Sequence, residues 1–202
     1  MSKQTDKRVT GAQELARIQA EAKQSKKSGS PPVERWNPPF CGDLDMRIAG
    51  DGTWFYLGTP IGRKRLVKLF ASVLRREEDG KYCLVTPVEK VCIRVDDAPF
   101  LAVEMRVDNQ GPDQVVGFRT NVDDEVRVDD QHPLRFEAEA GTGGLKPYVR
   151  VRGRLEALIA RPVFYDLVAL GTDETVDRER MFGVWSSGRF YAMAPAAALA
   201  EA

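Results

Sequence analysis

Two arginines stand where charge chemistry could be done. Arg63 precedes Leu66 and Phe70 by three and seven residues, and Arg161 precedes Phe164 and Val168 by the same intervals. At helical spacing each guanidinium shares a face with its apolar pair and is directed under a helix, at the positive end of the helix dipole. A cation there needs an anion beside it. The anion is either an internal carboxylate, with Glu89, Asp96 and Asp97 as candidates, or the phosphate or carboxylate of a ligand. Three tryptophans, Trp36, Trp54 and Trp185, offer faces that could stack a base or cap a cleft. Thr86 and Glu89 flank Pro87, where a strand must break, and offer polar contacts. These seven residues are the candidate ligand site.

Catalytic motifs are scarce. His132 is the only histidine, which removes most zinc sites, the HExxH metalloproteases, and Ser–His or Cys–His catalysis. Ser186 and Ser187 lie in no GxSxG elbow. Gly141-Thr142-Gly143-Gly144 suggests a phosphate loop, but Tyr148 to Leu155 behind it alternates like a strand instead of opening a helix, so a hairpin loop is expected. That hairpin would set Glu137 across from Arg150, with Arg152 and Arg154 on the same face. Asp45, Asp51, Asp96 and Asp97 could hold a divalent metal, although most suit turns. No catalytic residue, metal ligand or cofactor is assigned.

The 202 residues suffice for one large or two small domains, and 43% hydrophobic with 30% charged residues is an ordinary globular composition. A formal net charge of zero gives no electrostatic reason to expect nucleic acid or an anionic membrane as partner. Apolar runs are too short to span a bilayer, and the N-terminus lacks the apolar core of a signal peptide. Cys41, Cys83 and Cys92 are odd in number and without CxxC spacing, which suits a reducing cytoplasm. Cys83 and Cys92 are expected as separate small core residues, and Cys41 as a loop thiol.

The elements that must position these groups centre on residues 51–90. Asp51-Gly52 is a hairpin turn, Trp54 to Leu57 a strand, and Thr59-Pro60 a helix cap with proline at the first position. Leu66, Val67, Phe70, Val73 and Leu74 form one apolar stripe, Glu78-Asp79-Gly80 ends the helix, and Tyr82 to Val85 returns as a strand. The pattern Ile61-x-Arg63-x-x-Leu66-Val67-x-Leu69-Phe70 aligns with Ile159-x-Arg161-x-x-Phe164-Tyr165-x-Leu167-Val168, which points to a duplicated strand–helix–strand unit. Residues 1–30, net positive with little apolar face, read as a mobile basic tail. The proline-rich segment from Pro31 to Pro39 is expected to lie along the folded surface with Trp36 docked. Leu101, Val103, Met105 and Val107 alternate as the inner face of a strand. Thr172 to Arg180 reads as a polar connection, and Phe182 to Met193 as a closing hairpin. The fold class is α+β, two β-rich halves: residues 1–30 tail, 31–91 an N-terminal α+β domain, 92–196 a C-terminal β-rich domain with one main helix.

The runs Gly42-x-x-Asp45-x-Arg47-Ile48-x-x-Asp51-Gly52-x-Trp54, Gly58-x-Pro60-Ile61-x-Arg63, Tyr82-x-Leu84-Val85-Thr86-Pro87-Val88-Glu89-Lys90 and Asp97-Ala98-Pro99-Phe100 resemble an uncharacterised bacterial family, domain of unknown function 1285, from about Pro31 to Met193. The resemblance implies a two-part α+β protein with a repeated strand–helix–strand core and a C-terminal half superficially similar to pleckstrin-homology-like folds. It also implies a nucleotide-type ligand between the halves and a role in signalling. Together these lead to the expectation of a non-enzymatic, cytoplasmic sensor or regulatory module. It would bind a small anionic, nucleotide-like molecule where the halves meet, with Arg63 and Arg161 clamping its charge. The alternatives are a metal-dependent nucleotide-processing enzyme and a scaffold for a protein partner. No nucleic-acid or membrane partner is expected.

Overall fold

The computed structural model describes residues 11–25, 31–139, 141 and 144–199. The chain divides into two compact units: one runs to Met46 and includes Trp54–Arg94, and the other holds Arg47–Thr53 and the chain from Val95 onward.

In the first unit, α1 (Gly11–Ser25) is followed by β1 (Phe40–Ile48), β2 (Trp54–Tyr56), β3 (Thr59–Pro60), α2 (Lys64–Ser72), β4 (Leu74–Arg76), β5 (Tyr82–Val85) and β6 (Lys90–Val95), and the sheet order is β3-β2-β1-β6-β5-β4. Asp51 closes its turn by accepting from the Thr53 amide (2.9 Å), and Gly52 occupies φ +78°. Thr59-Pro60 does not cap the helix. Leu57 and Gly58, both at positive φ, turn the chain back so that Tyr56 pairs with Thr59 and Phe55 with Pro60. Leucine seldom occupies that backbone region, so the turn carried no composition signal. The helix is also shorter than its apolar stripe. It ends at Ser72, whose hydroxyl donates to the Leu69 carbonyl (2.7 Å), and Leu74 instead pairs with Leu84 in β4–β5. Trp54, Phe70, Leu74 and Leu84 are fully buried in this unit.

Residues 11–25, assigned by sequence to a mobile tail, form α1, with Ile18 and Ala22 completely buried. The rest of the residues assigned to that tail, 1–10 and 26–30, lie outside the described residues. The segment after Pro31 is docked as expected. Val33 is buried, and half-buried Trp36 packs on Cys83, Val85 and Cys92.

The second unit holds β7 (Phe100–Asp108), β8 (Val115–Thr120), β9 (Glu125–Arg127), β10 (Leu134–Ala138), β11 (Leu145–Arg152), β12 (Leu155–Ile159), α3 (Arg161–Ala169), β13 (Thr172–Val176), β14 (Glu179–Ser186), β15 (Arg189–Pro195) and the short α4 (Ala196–Leu199). The six-stranded sheet has the order β10-β11-β12-β7-β8-β9, with β12 and β7 parallel, and β13-β14-β15 form a separate antiparallel sheet. The alternation expected of β7 is displaced. A register shift against β8 falls between Ala102 and Glu104, so Phe100 and Ala102 are buried while Val103 and Val107 are exposed. Such a bulge adds one residue to the strand and exchanges its faces. Thr172 to Arg180 is a hairpin and not a loose connection, turned by Asp177 and Arg178 at positive φ. The expected closing hairpin is β14–β15, turned at Ser187-Gly188. Among the described residues, no helix is long and apolar enough to cross a membrane.

Candidate functional site

Arg63 adopts extended backbone (φ −86°, ψ 95°), and its carbonyl accepts from Leu66 (2.8 Å) and Val67 (3.2 Å), opening α2. Because Arg63 itself is not helical, counting back from Leu66 and Phe70 misplaces its side chain. It is exposed, not directed under the helix. Arg161 is the first residue of α3 and is likewise exposed, because this helix buries Val163 and Leu167 whereas Phe164 and Val168 are half-buried. Neither guanidinium pairs with a described carboxylate. The internal partners expected of them are engaged elsewhere: Glu89 by Arg17, Asp96 by Arg47, and Asp97 by Lys146 and Tyr148. Arg65, which the sequence reading did not select, shares the exposed first turn of α2. That turn has no side-chain cap and no acidic residue.

Thr86 and Glu89 do come together. Pro87 has no N–H, so β5 stops at Val85 and the chain turns, with the Thr86 amide donating to the Glu89 carbonyl (2.9 Å) and the Glu89 amide to Thr86 Oγ1 (3.2 Å). Glu89 is only 3% exposed, and Thr86 is fully buried. Their partners come from α1. Arg17 forks onto the Glu89 carboxylate, with Nε to Oε1 at 3.1 Å and Nη2 on Oε2, and the Thr86 hydroxyl donates to Glu21 Oε2 (2.8 Å). The available signal was Arg17 and Glu21 four apart, beside Ile18 and Ala22 four apart. It is a one-turn pattern, easily dismissed in a short helix with little apolar surface.

The tryptophans separate. Trp54 is 1% exposed, stacked on Phe70 with ring centroids 6.4 Å apart, so it is a core residue of the first unit. Trp36 covers the Cys83–Cys92 pair, and Arg75 holds it there by donating to the carbonyls of Val33 (2.6 Å) and Trp36 (2.7 Å). Cys83 and Cys92 face each other across β5–β6, with Cα atoms 3.9 Å apart, and are joined as a disulfide. They are not the separate thiols expected, and they no longer argue for a reducing compartment. Cys41 is free and exposed. Beside the disulfide, in the same unit, opens a cleft of about 430 Å³ lined by Phe40, Glu77, Lys81 and Lys90 among others. Burial raises the Glu77 carboxyl, but hydrogen bonds from Arg75 and Lys90 outweigh it and leave the group below its ordinary range. In the second unit, Trp185 donates Nε1 to Glu174 (3.1 Å) and packs on Phe190 (5.6 Å).

The four aspartates of the metal reading do not converge. Asp45 faces Arg94 (3.5 Å), Asp51 closes its own turn, and Asp96 accepts from Arg47 (2.5 Å). Asp97 accepts from Lys146 Nζ (2.8 Å) and from the Tyr148 hydroxyl (2.7 Å). No group of three or more possible metal ligands occurs among the described residues. Burial raises the Asp97 carboxyl, yet Lys146 and Tyr148 bring it below its usual range, while burial and then Asp97 raise the Tyr148 phenol. Arg135 lies 4.3 Å over the Tyr148 ring and forks onto Glu156 (3.0 and 2.8 Å). In the β10–β11 hairpin Glu137 faces Lys146, not Arg150 as expected, and Arg150 is opposite Glu156 across the β11–β12 pairing. The register was misjudged because β11 begins at Leu145, three residues earlier than its alternation suggested.

These features define a two-unit, β-rich α+β protein whose buried charges are matched pairwise. Residues 31–98 match the family model described as "Domain of unknown function (DUF1285), N-terminal domain", and residues 99–193 match "Protein of unknown function (DUF1285), C-terminal domain". The chain belongs to the DUF1285 family. It is similar to the crystal structure of a DUF1285 family protein from Silicibacter pomeroyi DSS-3, with 50% identity, 91% of this chain and 97% of that chain covered, and a TM-score of 0.82. A DUF1285 family protein from Shewanella baltica OS155 is 30% identical over 61% of this chain and 90% of its own, with a TM-score of 0.49. No curated protein matches the chain.

Proposed function

We propose that this protein is a non-enzymatic regulatory module in signal transduction that binds a small anionic ligand, nucleotide-like in carrying phosphate, through the arginines that open its helices. The supporting observation is the condition of Arg63 and Arg65. Both are exposed, neither pairs with a described carboxylate, and both sit at a helix N-terminus with no acidic residue in its first turn. Elsewhere Arg17, Arg47, Arg75, Arg119, Arg135 and Arg152 are all ion-paired. A phosphate accepts from guanidinium forks and gains from the helix dipole together. Arg161 repeats the arrangement on α3 of the second unit. Trp54, Thr86 and Glu89 are engaged within the first unit, so the ligand's charge falls to the arginines. Trp36 and Trp185 keep partly exposed rings for stacking. We also read the two units as diverged copies of one strand–helix–strand element, the second pleckstrin-homology-like in outline. That α2 and α3 each span nine residues and are each opened by an arginine supports the duplication.

The test is a thermal-shift comparison of wild type, Arg63→Ala, Arg65→Ala and Arg161→Ala against nucleoside mono-, di- and triphosphates, the corresponding nucleosides and inorganic phosphate. Selective binding to the folded state raises the midpoint by mass action. Shifts from phosphate-bearing compounds that disappear in Arg63→Ala support the proposal. Shifts of equal size in folded Arg63→Ala and Arg65→Ala, or no shift with any compound, refute it.

A further inference from the structure

Strands β7, β8 and β9 of the second unit carry their charges in rows. Residues directly opposite on neighbouring strands share a face of the sheet. One row across this face is Glu104–Arg119–Glu125. Its central cation is satisfied from within: Arg119 donates to Glu104 through Nε (2.8 Å) and Nη2 (2.5 Å) and lies 3.3 Å from Asp123. Two residues along each strand, on the same face, the next row is Arg106–Gly117–Arg127. Here two cations flank a position with no side chain. Their nearest carboxylates stand off. Arg106 is 3.7 Å from Glu104 and 4.0 Å from Glu125, and Arg127 is 3.8 Å from Asp108. None of these is a hydrogen-bond distance, and the two arginine side chains are 66% and 75% exposed. Arg106, Gly117 and Arg127, with Asp108 and Glu125, line a hollow of about 550 Å³.

Loosely paired surface arginines are ordinary on their own. The glycine between them is not. A glycine inside a strand weakens it, through backbone entropy and the loss of a packing side chain. Nothing in the backbone asks for one at Gly117. It is not at positive φ, and a Cβ there would meet the carbonyl oxygens of Val126 at 3.5 Å and Arg106 at 4.0 Å, which is ordinary contact. The fold would therefore accept a side chain. What its absence leaves is the floor of the hollow, between two arginines whose Cα atoms are roughly 10 Å apart across three strands.

We propose that the Arg106–Gly117–Arg127 row is a binding site for an oxyanion, the carboxylate or phosphate group of a small molecule. The anion lies over Gly117 and accepts from both guanidinium forks. It supplies the negative centre that this row lacks, so that guanidinium–anion–guanidinium runs beside carboxylate–guanidinium–carboxylate. The site uses none of Arg63, Arg65 and Arg161, so it goes beyond the ligand proposal and the two can fail separately.

The test is an NMR titration of the full chain at low salt, following the Gly117 amide and the Nε–H signals of Arg106 and Arg127. The probes are inorganic phosphate, acetate and chloride, the last carrying charge without oxygens to match a guanidinium fork. Saturable shifts at these signals are expected with phosphate or acetate and not with chloride, and the tighter oxyanion identifies the ligand group. Arg106→Gln and Arg127→Gln should each weaken binding at least tenfold, and Arg178→Gln, in the β13–β14 turn, should leave it unchanged. Gly117→Val fills the floor. It should abolish binding while its thermal midpoint equals or exceeds that of wild type, because valine is the better strand former. If Gly117→Val does not fold, Gly117→Ala is read in the same way. No saturable shift with either oxyanion, an equal response to chloride, or undiminished binding in the arginine or folded Gly117 variants overturns the proposal. So does a Gly117→Ala chain that unfolds well below wild type, since the glycine would then serve the strand itself.

Discussion

Arg75 holds the proline-rich segment onto the first unit, and removing its charge should release that segment. It is 8% exposed and donates to the carbonyls of Val33 and Trp36 and, through Nε, to Glu77 Oε1 (2.6 Å). Arg75→Met keeps the aliphatic stem, so no large cavity opens. Glu77 retains Lys90 at 3.0 Å and is not orphaned. The loss falls on the two carbonyls. Each hydrogen bond from a charged donor contributes roughly 1.5–3 kcal/mol, and water partly replaces the one at the half-buried Trp36, which gives a total of about 3 kcal/mol. With a urea slope of about 2 kcal/mol/M, the midpoint of the first unit should fall by about 1.5 M. Trp36 should also lose its contact with the Cys83–Cys92 cluster. Its emission, isolated against a Trp36→Phe background, shifts to the red, and amide exchange across residues 31–39 quickens. A midpoint within about 0.3 M of wild type, with exchange at 31–39 still slow, would show that the segment is held by something other than Arg75.

Three further outcomes follow from the same contacts. Cys83→Ser/Cys92→Ser, which opens a cross-link between residues nine apart, should cost about 2–3 kcal/mol by loop-closure entropy. A thiol count of three in the native, unreduced protein would contradict the bridge itself. Asp97 titrates below its unfolded value, so its contribution is complete above the ordinary carboxylate range and is lost as pH falls through the lower folded value. Urea midpoints of Asp97→Asn should therefore lie below wild type at pH 7 and converge with it from about pH 5 downward, whereas a constant gap down to pH 2 would be inconsistent with this account. Gly52→Ala would set a Cβ 2.7 Å from Asn121 Nδ2 at φ +78° and should lose about 1–3 kcal/mol in thermal unfolding. A neutral result would mean that Asn121 moves aside freely.

Local physics made much of the fold legible. Asp51-Gly52 specified its turn because only a short polar residue and a glycine meet its backbone demands. Pro87 ended β5 because it lacks an N–H, and Trp36 in a proline-rich segment announced a docked surface. Helix and strand periods placed α2, α3 and β5. What the sequence could not supply were partners across space. Which carboxylate meets Arg17, and which Arg47, depends on chain packing over separations of 72 and 49 residues. Cys83 and Cys92 look unrelated until β5 and β6 pair in the one register that sets them opposite. The fate of Arg63 turned on one non-helical residue, since a single extended φ/ψ pair carries the side chain off the face that periodicity assigns. Periodicity determines which faces exist, and tertiary packing determines which face is covered and by what. For that reason Thr86 and Glu89, which the sequence offered as polar contacts for a ligand, were shown only by the folded chain to meet Arg17 and Glu21 of its own first helix.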